Sequence, residues 1–308
     1  MSLQIPIAFV TQYKANILML SQQKQPKLRM CCRMETCTGE KMMVERLGPK
    51  DAQRRTTRHG ATPVSDADHT RRMLVPADYD VPADLIDKPD KLRMLIDPQS
   101  SYAQNQVFSL NRVIDDIVIA SLWSTRYGGH DGTTAINMYD VGESRIIAGD
   151  GTVVAAGSDD SGTTETPLTI AKLLTAKQLL DDAEIDDERQ RYFVTNPYNI
   201  NQLLNTTEVK SADYNTVKAL AQGQIDSFMG FKFIKSTRLP LATTDTGCVR
   251  SFAFAQDAVV LSVMEEPTVN VDPRYDLCGS VQVYSTMTGG AVVVEGPAVV
   301  EVLLDAAA

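Results

Sequence analysis

Acidic side chains form the densest group of residues in this 308-residue chain that could do chemistry. They lie in the run DDAEIDDE over residues 181–188, and carboxylates can hold a hard cation such as Ca²⁺ when their spacing suits it. The run lacks the glycine and the twelve-residue spacing of an EF-hand loop. It therefore predicts a solvated helix end and no metal site.

The cysteines and histidines form no recognised metal-binding or nucleophile motif. Cys31, Cys32 and Cys37 are clustered, but their spacing fits no familiar zinc pattern. An odd total of five cysteines argues against a disulfide framework and predicts free structural thiols in a reducing compartment. GxSxG, HExxH, GxxxxGK[ST] and GxGxxG motifs are also missing. We therefore predict no catalytic residue, no metal and no cofactor. An uncharacterised enzyme is kept as an alternative function.

Charge is unevenly distributed along the chain. The net charge is −9, yet residues 24–72 carry 12 Lys or Arg against 6 Asp or Glu. The same stretch has no Phe, Tyr or Trp on which bases could stack, so it suits acidic protein neighbours better than nucleic acid. No run of about 18 apolar residues predicts a membrane span, and the N-terminus does not fit a cleavable signal.

The elements that position these side chains begin with two extended parts and a long helix. Residues 1–25 predict an arm, and residues 26–85 predict a long two-stranded hairpin with a polar tip. Apolar residues at helical spacing then predict a helix over 102–126, ended by Gly128 and Gly129.

The second half of the sequence mixes helices and strands. Thr166 as a cap and Pro167 as the first helical residue predict a helix, followed by the buried strand RYFVT. Asn196 caps a further helix, and strands fill the remainder from about residue 252, with a turn at Gly289 and Gly290. The fold class is α+β.

The segment GQIDSFMGFKFIKSTRLP, residues 223–240, carries a family resemblance. Gly230 suits a turn that needs positive φ, and Phe231 and Phe233 alternate onto one face of a strand. With the order of arm, basic hairpin, long helix, α/β unit and terminal strands, the chain resembles the major capsid proteins of tailed bacteriophages, which have the Hong Kong 97-type fold. The resemblance covers nearly the whole chain.

The resemblance implies a domain arrangement. We expect an N-terminal arm (1–25), an extended loop (26–85), a peripheral domain (86–157) with a spine helix (102–126), an axial α/β domain (158–254) and terminal strands shared by the last two domains (255–308).

The resemblance also implies that the functional residues are inter-subunit contacts. The extended loop would lie across a neighbouring subunit, and the acidic run 181–188 offers a surface of complementary charge. The expected contact residues are Arg54, Arg55, Arg58, Arg71, Arg72, Met42, Met43, Asp181, Asp182, Asp186 and Asp187. Whether the loop and the acidic run meet is left open by the sequence.

The function implied is that of a structural protein that assembles as pentamers and hexamers into an icosahedral shell around double-stranded DNA, without sequence-specific contact. Expected partners are other copies of the chain, a scaffolding protein, a portal and a decoration protein, with no membrane. The expected location is the virion, after assembly in the host cytoplasm. An encapsulin-like cargo shell is the nearer alternative.

Overall fold

The computed structural model of the protein describes residues 21–58, 60, 62, 64–87, 99–154, 166–186, 188–205, 227–242 and 247–306. Its helices are α1 (Gln99–Trp123), α2 (Ile170–Asp182) and α3 (Pro197–Asn205). Its strands are β1 (Arg33–Met34), β2 (Met42–Leu47), β3 (His69–Leu74), β4 (Ala77–Ile86), β5 (Arg126–Gly128), β6 (Thr134–Ile136), β7 (Arg145–Ile147), β8 (Arg191–Thr195), β9 (Ser227–Phe228), β10 (Phe231–Lys235), β11 (Cys248–Ala255), β12 (Val259–Arg274), β13 (Ser280–Val293) and β14 (Val299–Asp305).

The chain divides into two compact units. Unit 1 comprises Met1–Pro26, Asp78–Val113 and Glu265–Thr288. Unit 2 comprises Lys27–Ala77, Ile114–Met264 and Gly289–Ala308.

Unit 1 is organised around one buried amide on the first half of α1. Gln106 Nε2 donates to Asp84 Oδ2 on β4 at 3.0 Å and to the Val283 carbonyl on β13 at 2.9 Å. Arg112 Nη1 on the same helix donates to Gln22 Oε1 at 2.7 Å. Through Gln106 the helix is hydrogen-bonded to both strands, and through Arg112 it is hydrogen-bonded to the segment before Pro26.

The core of unit 2 is a six-stranded mixed sheet in the order β7-β14-β11-β8-β10-β9. Every residue of β8 and β11 is buried, as expected for strands in the middle of a sheet with both faces covered. The strand RYFVT is thus confirmed. Phe193 at the centre of β8 packs edge-on against Phe231 and lies 5.3 Å from Phe233, measured between ring centroids.

Two helices bury apolar faces against this sheet. Leu173, Ala176 and Leu180 of α2 lie in one cluster with Phe193. Residues three and four apart share a helix face, so this spacing makes α2 amphipathic. The same cluster contains Ile200 and Leu203 of α3, and it forms a hydrophobic core of the unit.

The start of α2 differs from the prediction. The cap is Thr169, whose side chain accepts a hydrogen bond from the Lys172 backbone N–H, and the helix begins at Ile170. Thr166 instead donates to the Gly149 carbonyl, and its own carbonyl accepts from Lys172 Nζ at 2.9 Å. Tertiary bonding of Thr166 therefore moves the helix start three residues along the chain.

Lys172 is buried, with 2% of its surface exposed. Its Nζ donates to the carbonyls of Thr166 and Leu303, both at 2.9 Å. Burial penalises the charged ammonium and lowers the pKa of Lys172 to about 8, against an ordinary 10.5.

The long helix α1 is shifted by three residues from the predicted 102–126. It ends at Trp123, after which Ser124 N still donates to the Ala120 carbonyl. Arg126 and Gly128 belong to β5, which pairs with β3. The helix ends at Trp123 because the backbone groups of β5 pair with β3 instead of continuing the helical hydrogen bonds.

The hairpin prediction for residues 26–85 is wrong in extent and strand number. Strands β2 and β3 pair antiparallel from Met42–Leu74 to Leu47–His69, and β5 and β6 extend them into a four-stranded sheet. Strand β4 belongs to another sheet, of order β1-β12-β13-β4. Polarity and β-propensity marked the strands but did not identify their partners.

The predicted turn at Gly289 and Gly290 is also wrong, since β13 runs straight through both. A Cβ at Gly290 would lie 2.8 Å from the Val75 carbonyl oxygen and 3.1 Å from Pro76 Cα. The glycine serves a close approach between backbones and not a turn. Gly230, by contrast, has φ +86° before β10, as predicted.

Candidate assembly interface

Strands β2 and β3 fix the base of the extended loop against unit 2. Val44 and Leu74 are buried with Val260, Val292 and Val294. Because side chains alternate along a strand, burial of this set orients the neighbouring positions toward the opposite face. The base of the loop is therefore packed into the interior of unit 2.

The two predicted methionine contacts pack within their own chain. Met42 is partly buried against the Val44 and Leu74 cluster. Met43 is 36% exposed, and its Sδ and Cε lie with Met73 Sδ against Gly132, where an added Cβ would be 2.4 Å from Met43 Cε. Both therefore help to hold the sheet, and only Met43 keeps a substantial exposed surface.

Arg71 and Arg72 are adjacent on β3 but point to different surroundings. Arg71 is partly exposed and pairs with Glu45, its cross-strand neighbour, at 2.7 Å. Arg72 is 3% exposed, and its Nη2 donates to Glu143 Oε1. The prediction of Arg72 as an inter-subunit contact is therefore corrected, because strand alternation turns its side chain into the subunit.

Glu143 is the centre of this buried ionic cluster. Its Oε2 accepts from Arg126 Nη1 at 2.8 Å, and Arg126 Nη2 donates to Ser144 Oγ at 2.9 Å. Arg46 Nη2 lies 4.0 Å from Glu143 Oε1. Burial lowers the pKa of Arg126 and of Arg46, and the neighbouring Arg72 adds to both shifts, while Glu143 opposes them. One carboxylate thus compensates several guanidinium groups.

The remaining predicted arginines lie in the exposed segment between β2 and β3. Arg54, Arg55 and Arg58 are all exposed, and Arg55 Nε donates to the Thr57 carbonyl at 3.0 Å. Lys50 Nζ donates to the Ser65 carbonyl, which joins the two arms of the loop. We call residues 50–58 the basic tip; one lysine and three arginines against one aspartate give it a net charge of +3.

The acidic run begins with the last two residues of α2 and is bound to the subunit at its first residue. Asp181 Oδ1 accepts from the buried Arg191 at 2.5 Å, so this carboxylate already has a partner in its own chain. Asp182 and Asp186 are exposed. Asp187 lies outside the described residues. The run is thus the solvated helix end that the sequence predicted.

A groove of about 820 Å³ brings the loop base and the acidic run together within unit 2. It is lined by residues of the loop base, the acidic run, the turn before β14 and Gly142: Arg46, Leu47, Gly48, Pro49, Asp66, Asp68, Thr70, Gly142, Ala183, Glu184, Ile185, Asp186, Arg189, Glu295, Pro297 and Ala298. Five carboxylates and two arginines give this lining a net charge of −3. We call it the acidic groove.

Several residues of this region escaped sequence reasoning. Glu143 lies 71 residues from Arg72, and nothing local marks it as a partner of buried arginines. Asp66 and Asp68 had a usable signal, since they form a short acidic motif at the end of an otherwise basic loop.

The cysteines are free thiols, as predicted, and four of the five are buried. Burial raises the pKa of Cys31 to about 12 and also raises that of Cys32, so these thiols stay protonated. Within the described ranges, no group of three or more His, Cys, Asp or Glu side chains could hold a metal ion. No helix in the described part of the chain is long and apolar enough to cross a membrane.

The architecture matches the capsid chains of several solved virus structures along almost their entire length. The cyanophage Pam1 capsid chain has a TM-score of 0.70 at 14% identity, with 98% of this chain and 97% of that chain covered. The capsid chain of cyanophage P-SCSP1u has a TM-score of 0.69 at 16% identity, with 98% of this chain and 95% of that chain covered. The capsid chain of Ralstonia phage GP4 has a TM-score of 0.69 at 11% identity, and 98% of this chain and 96% of that chain are covered. The class that this fold defines is the α+β capsid fold, which confirms the predicted fold class.

A family model described as phage capsid protein matches residues 5–306, so the chain belongs to the phage capsid protein family. It is a structural protein of the virion that assembles with copies of itself, and the cargo-shell and enzyme alternatives are not favoured. Among curated proteins, no sequence matches this chain.

Proposed function

We propose that this capsid protein forms pentamers and hexamers that close into an icosahedral shell around double-stranded DNA. The observation that carries the proposal is the family match over residues 5–306, joined to a subunit whose basic tip extends from a packed base. Icosahedral closure uses both kinds of ring, and one chain can build both when its contacts tolerate small changes of angle.

Exposed apolar side chains supply surface that subunit contacts would bury. Met30, Val64, Val141 and Tyr275 are each more than four-fifths exposed, which is uncommon for large apolar residues. Burial of such surface contributes roughly 25 cal/mol per Å². Exposed ion pairs contribute little by comparison, about 0 to 1 kcal/mol each. We therefore assign affinity mainly to apolar burial, and orientation of the subunits to charge.

The proposed contact residues are those predicted side chains that keep exposed charge. On the loop these are Arg54, Arg55, Arg58 and Arg71. On the acidic run they are Asp182 and Asp186, and Asp187 remains a prediction from the sequence. Arg72 is left out because its guanidinium is buried against Glu143.

The charge balance supports an enclosed nucleic acid that does not adhere to the wall. The chain carries a net charge of −9, which repels phosphates at long range. We propose that the DNA is held without sequence-specific contact and that a scaffolding protein, a portal and a decoration protein act with the shell. Assembly would take place in the host cytoplasm.

The domain assignment stays a proposal. Under it, residues 1–25 form an arm, 26–85 the extended loop, 86–157 the peripheral domain, 158–254 the axial domain and 255–308 the shared terminal strands. Limited proteolysis of assembled and unassembled subunits tests it, since cleavage in the arm and loop should fall on assembly.

Negative-stain electron microscopy of the full chain, expressed with and without the proteins of its own virus, tests the proposed function. Closed particles of uniform size, filled with DNA when packaging proteins are present, are expected. A small soluble oligomer under both conditions would contradict the shell proposal, and empty particles that retain an enzyme would favour the cargo shell.

A further inference from the structure

Three observations on the extended loop point to a specific contact between two copies of this chain. The acidic groove carries a net charge of −3 and the basic tip a net charge of +3. None of the described loop residues 51–58 lines the groove of its own chain. From the charges and this separation we propose that the acidic groove of one subunit receives the basic tip of another.

The lining of the groove suits arginine side chains. Leu47, Pro49 and Ile185 supply apolar surface beside the carboxylates, and Leu47 is 64% exposed. An arginine lays its aliphatic stem on apolar surface and keeps its guanidinium at a polar edge. Its planar fork also binds carboxylates with two parallel hydrogen bonds. A groove lined by both kinds of group can use both parts of the side chain.

The exposed carboxylates of the groove lie on two separate elements. Asp66 and Asp68 belong to the arm that leads back to β3, and both are exposed. Asp186 belongs to the acidic run; it is exposed, and its Oδ1 accepts a hydrogen bond from the Glu188 backbone N–H at 3.2 Å. Glu295 is already paired with Arg189 at 2.8 Å, so it adds less to an incoming charge. The receptive set is therefore Asp66, Asp68, Glu184 and Asp186.

The geometry favours a contact between copies over one within a chain. Lys50 and Ser65 are hydrogen-bonded, which holds the two arms together beside the groove. Residues 49–58 reach about 33 Å when fully extended, which is the scale of a neighbouring subunit. A contact that joins the tip of one copy to the groove of the next is heterologous, and it closes into a ring when the rotation between successive copies closes.

This inference rests on the proposed function, because the rings in question are capsomers. It adds a named receptor surface for the loop and a direction for the contact around each ring. It also makes the prediction that exchange of charge between the two surfaces preserves assembly.

The test uses charge-reversed full-length chains. The tip variant carries Arg54→Glu, Arg55→Glu and Arg58→Glu. The groove variant carries Asp66→Lys, Asp68→Lys and Asp186→Lys. Glu184 is left unchanged because its φ of +54° makes a substitution there disturb the backbone. Analytical ultracentrifugation measures the assembled fraction, and circular dichroism verifies that each variant is folded.

Each variant alone is expected to lose assembly by about tenfold or more, since like charges then face each other at the contact. An equimolar mixture is expected to assemble, because the acidic tip of one variant fits the basic groove of the other and the reverse pair is also complementary. Alternating copies close only rings with an even number of members, so the restored products should include six-membered rings.

Matched controls place the same charge change outside the tip and the groove. Lys41→Glu, Lys232→Glu and Arg274→Glu together match the tip variant. Glu40→Lys, Glu265→Lys and Asp272→Lys together match the groove variant. All six positions are exposed and none lines the groove. The controls should assemble to within about twofold of the wild type if net charge alone is not decisive.

Three results would overturn the proposal. Wild-type assembly by the folded tip or groove variant would show that the surfaces do not meet. Assembly by a chain that carries both sets of changes, but not by the mixture, would place the tip in its own groove. Failure of both would exclude the pairing altogether. If the wild type forms no particles, the proposed function is contradicted. The contact between tip and groove can then still be tested, because the masses of the soluble oligomers show whether the variants associate less than the wild type.

Discussion

Arginines on the extended loop fall into two groups, one buried and one exposed to solvent. Arg72, at the end of the loop, is buried against Glu143, whereas Arg54, Arg55 and Arg58 are exposed in the tip. The residue type is the same, and only the position relative to the β2–β3 ladder differs. Cations at inward ladder positions stabilise the subunit, and cations beyond the ladder remain available to other subunits.

The largest expected effect comes from the buried group. Replacement Glu143→Gln leaves Arg72 and Arg126 without their carboxylate. Removal of one partner of a buried ion pair typically costs about 3 to 5 kcal/mol. Urea denaturation should therefore show a fall of that size in the free energy of unfolding. A loss below about 1 kcal/mol would mean that solvent compensates the arginines.

Lys172 sharpens the comparison because it is a buried cation bonded to backbone carbonyls. Its folded pKa of about 8 lies below the ordinary 10.5, so the unfolded chain binds more protons between these pH values. Its contribution to stability therefore rises with pH from about 8 to 10.5. The size is on the order of 2 to 3 kcal/mol.

The measurement is the difference in unfolding free energy between the wild type and Lys172→Met at several pH values from 7 to 10. The difference removes other titrating groups, such as Cys31 and Tyr139, whose pKa values are raised to about 12. It should grow in favour of the wild type as pH rises. A constant difference would show that the Lys172 ammonium is solvated.

The exposed pair on the loop base should matter far less than the buried one. Glu45→Gln removes the carboxylate that Arg71 pairs with at 2.7 Å on the surface. The expected loss is about 0 to 1 kcal/mol, because water replaces the lost partner. Measured beside Glu143→Gln, this variant is the matched control, and equal losses would refute the distinction between the two groups.

The smallest effect on subunit stability is expected at the tip. Replacement of Arg54, Arg55 and Arg58 by alanine changes side chains that are exposed in the subunit. The unfolding free energy of the unassembled subunit should change by no more than about 0.5 kcal/mol per substitution. A larger loss in thermal denaturation would show that the tip packs on its own subunit.

Local signals account for what the sequence predicted correctly. The apolar run RYFVT marked a buried strand, Asn196 marked the start of α3, and Asn196 Oδ1 does accept a bond from Tyr198 N. Gly230 marked a turn with positive φ. In each case the residues that decide the structure lie within a few positions of one another.

Long-range contacts account for what was missed. Arg72 looked like its exposed neighbours because its partner Glu143 is remote in sequence. Gly290 looked like a turn residue because Val75, which approaches it, belongs to another part of the chain. The acidic groove is assembled from five stretches that are separate in sequence, so neither its volume nor its charge could be predicted from any one of them.

We propose that the exposed loop arginines serve assembly and that the buried ones serve the fold. The most direct measurement is electron microscopy of the wild type beside the variant in which Arg54, Arg55 and Arg58 are alanine, at equal concentrations of folded subunit. We expect closed particles from the wild type and unassembled, folded subunits from the variant. Particles of normal size and yield from the variant would contradict the proposal.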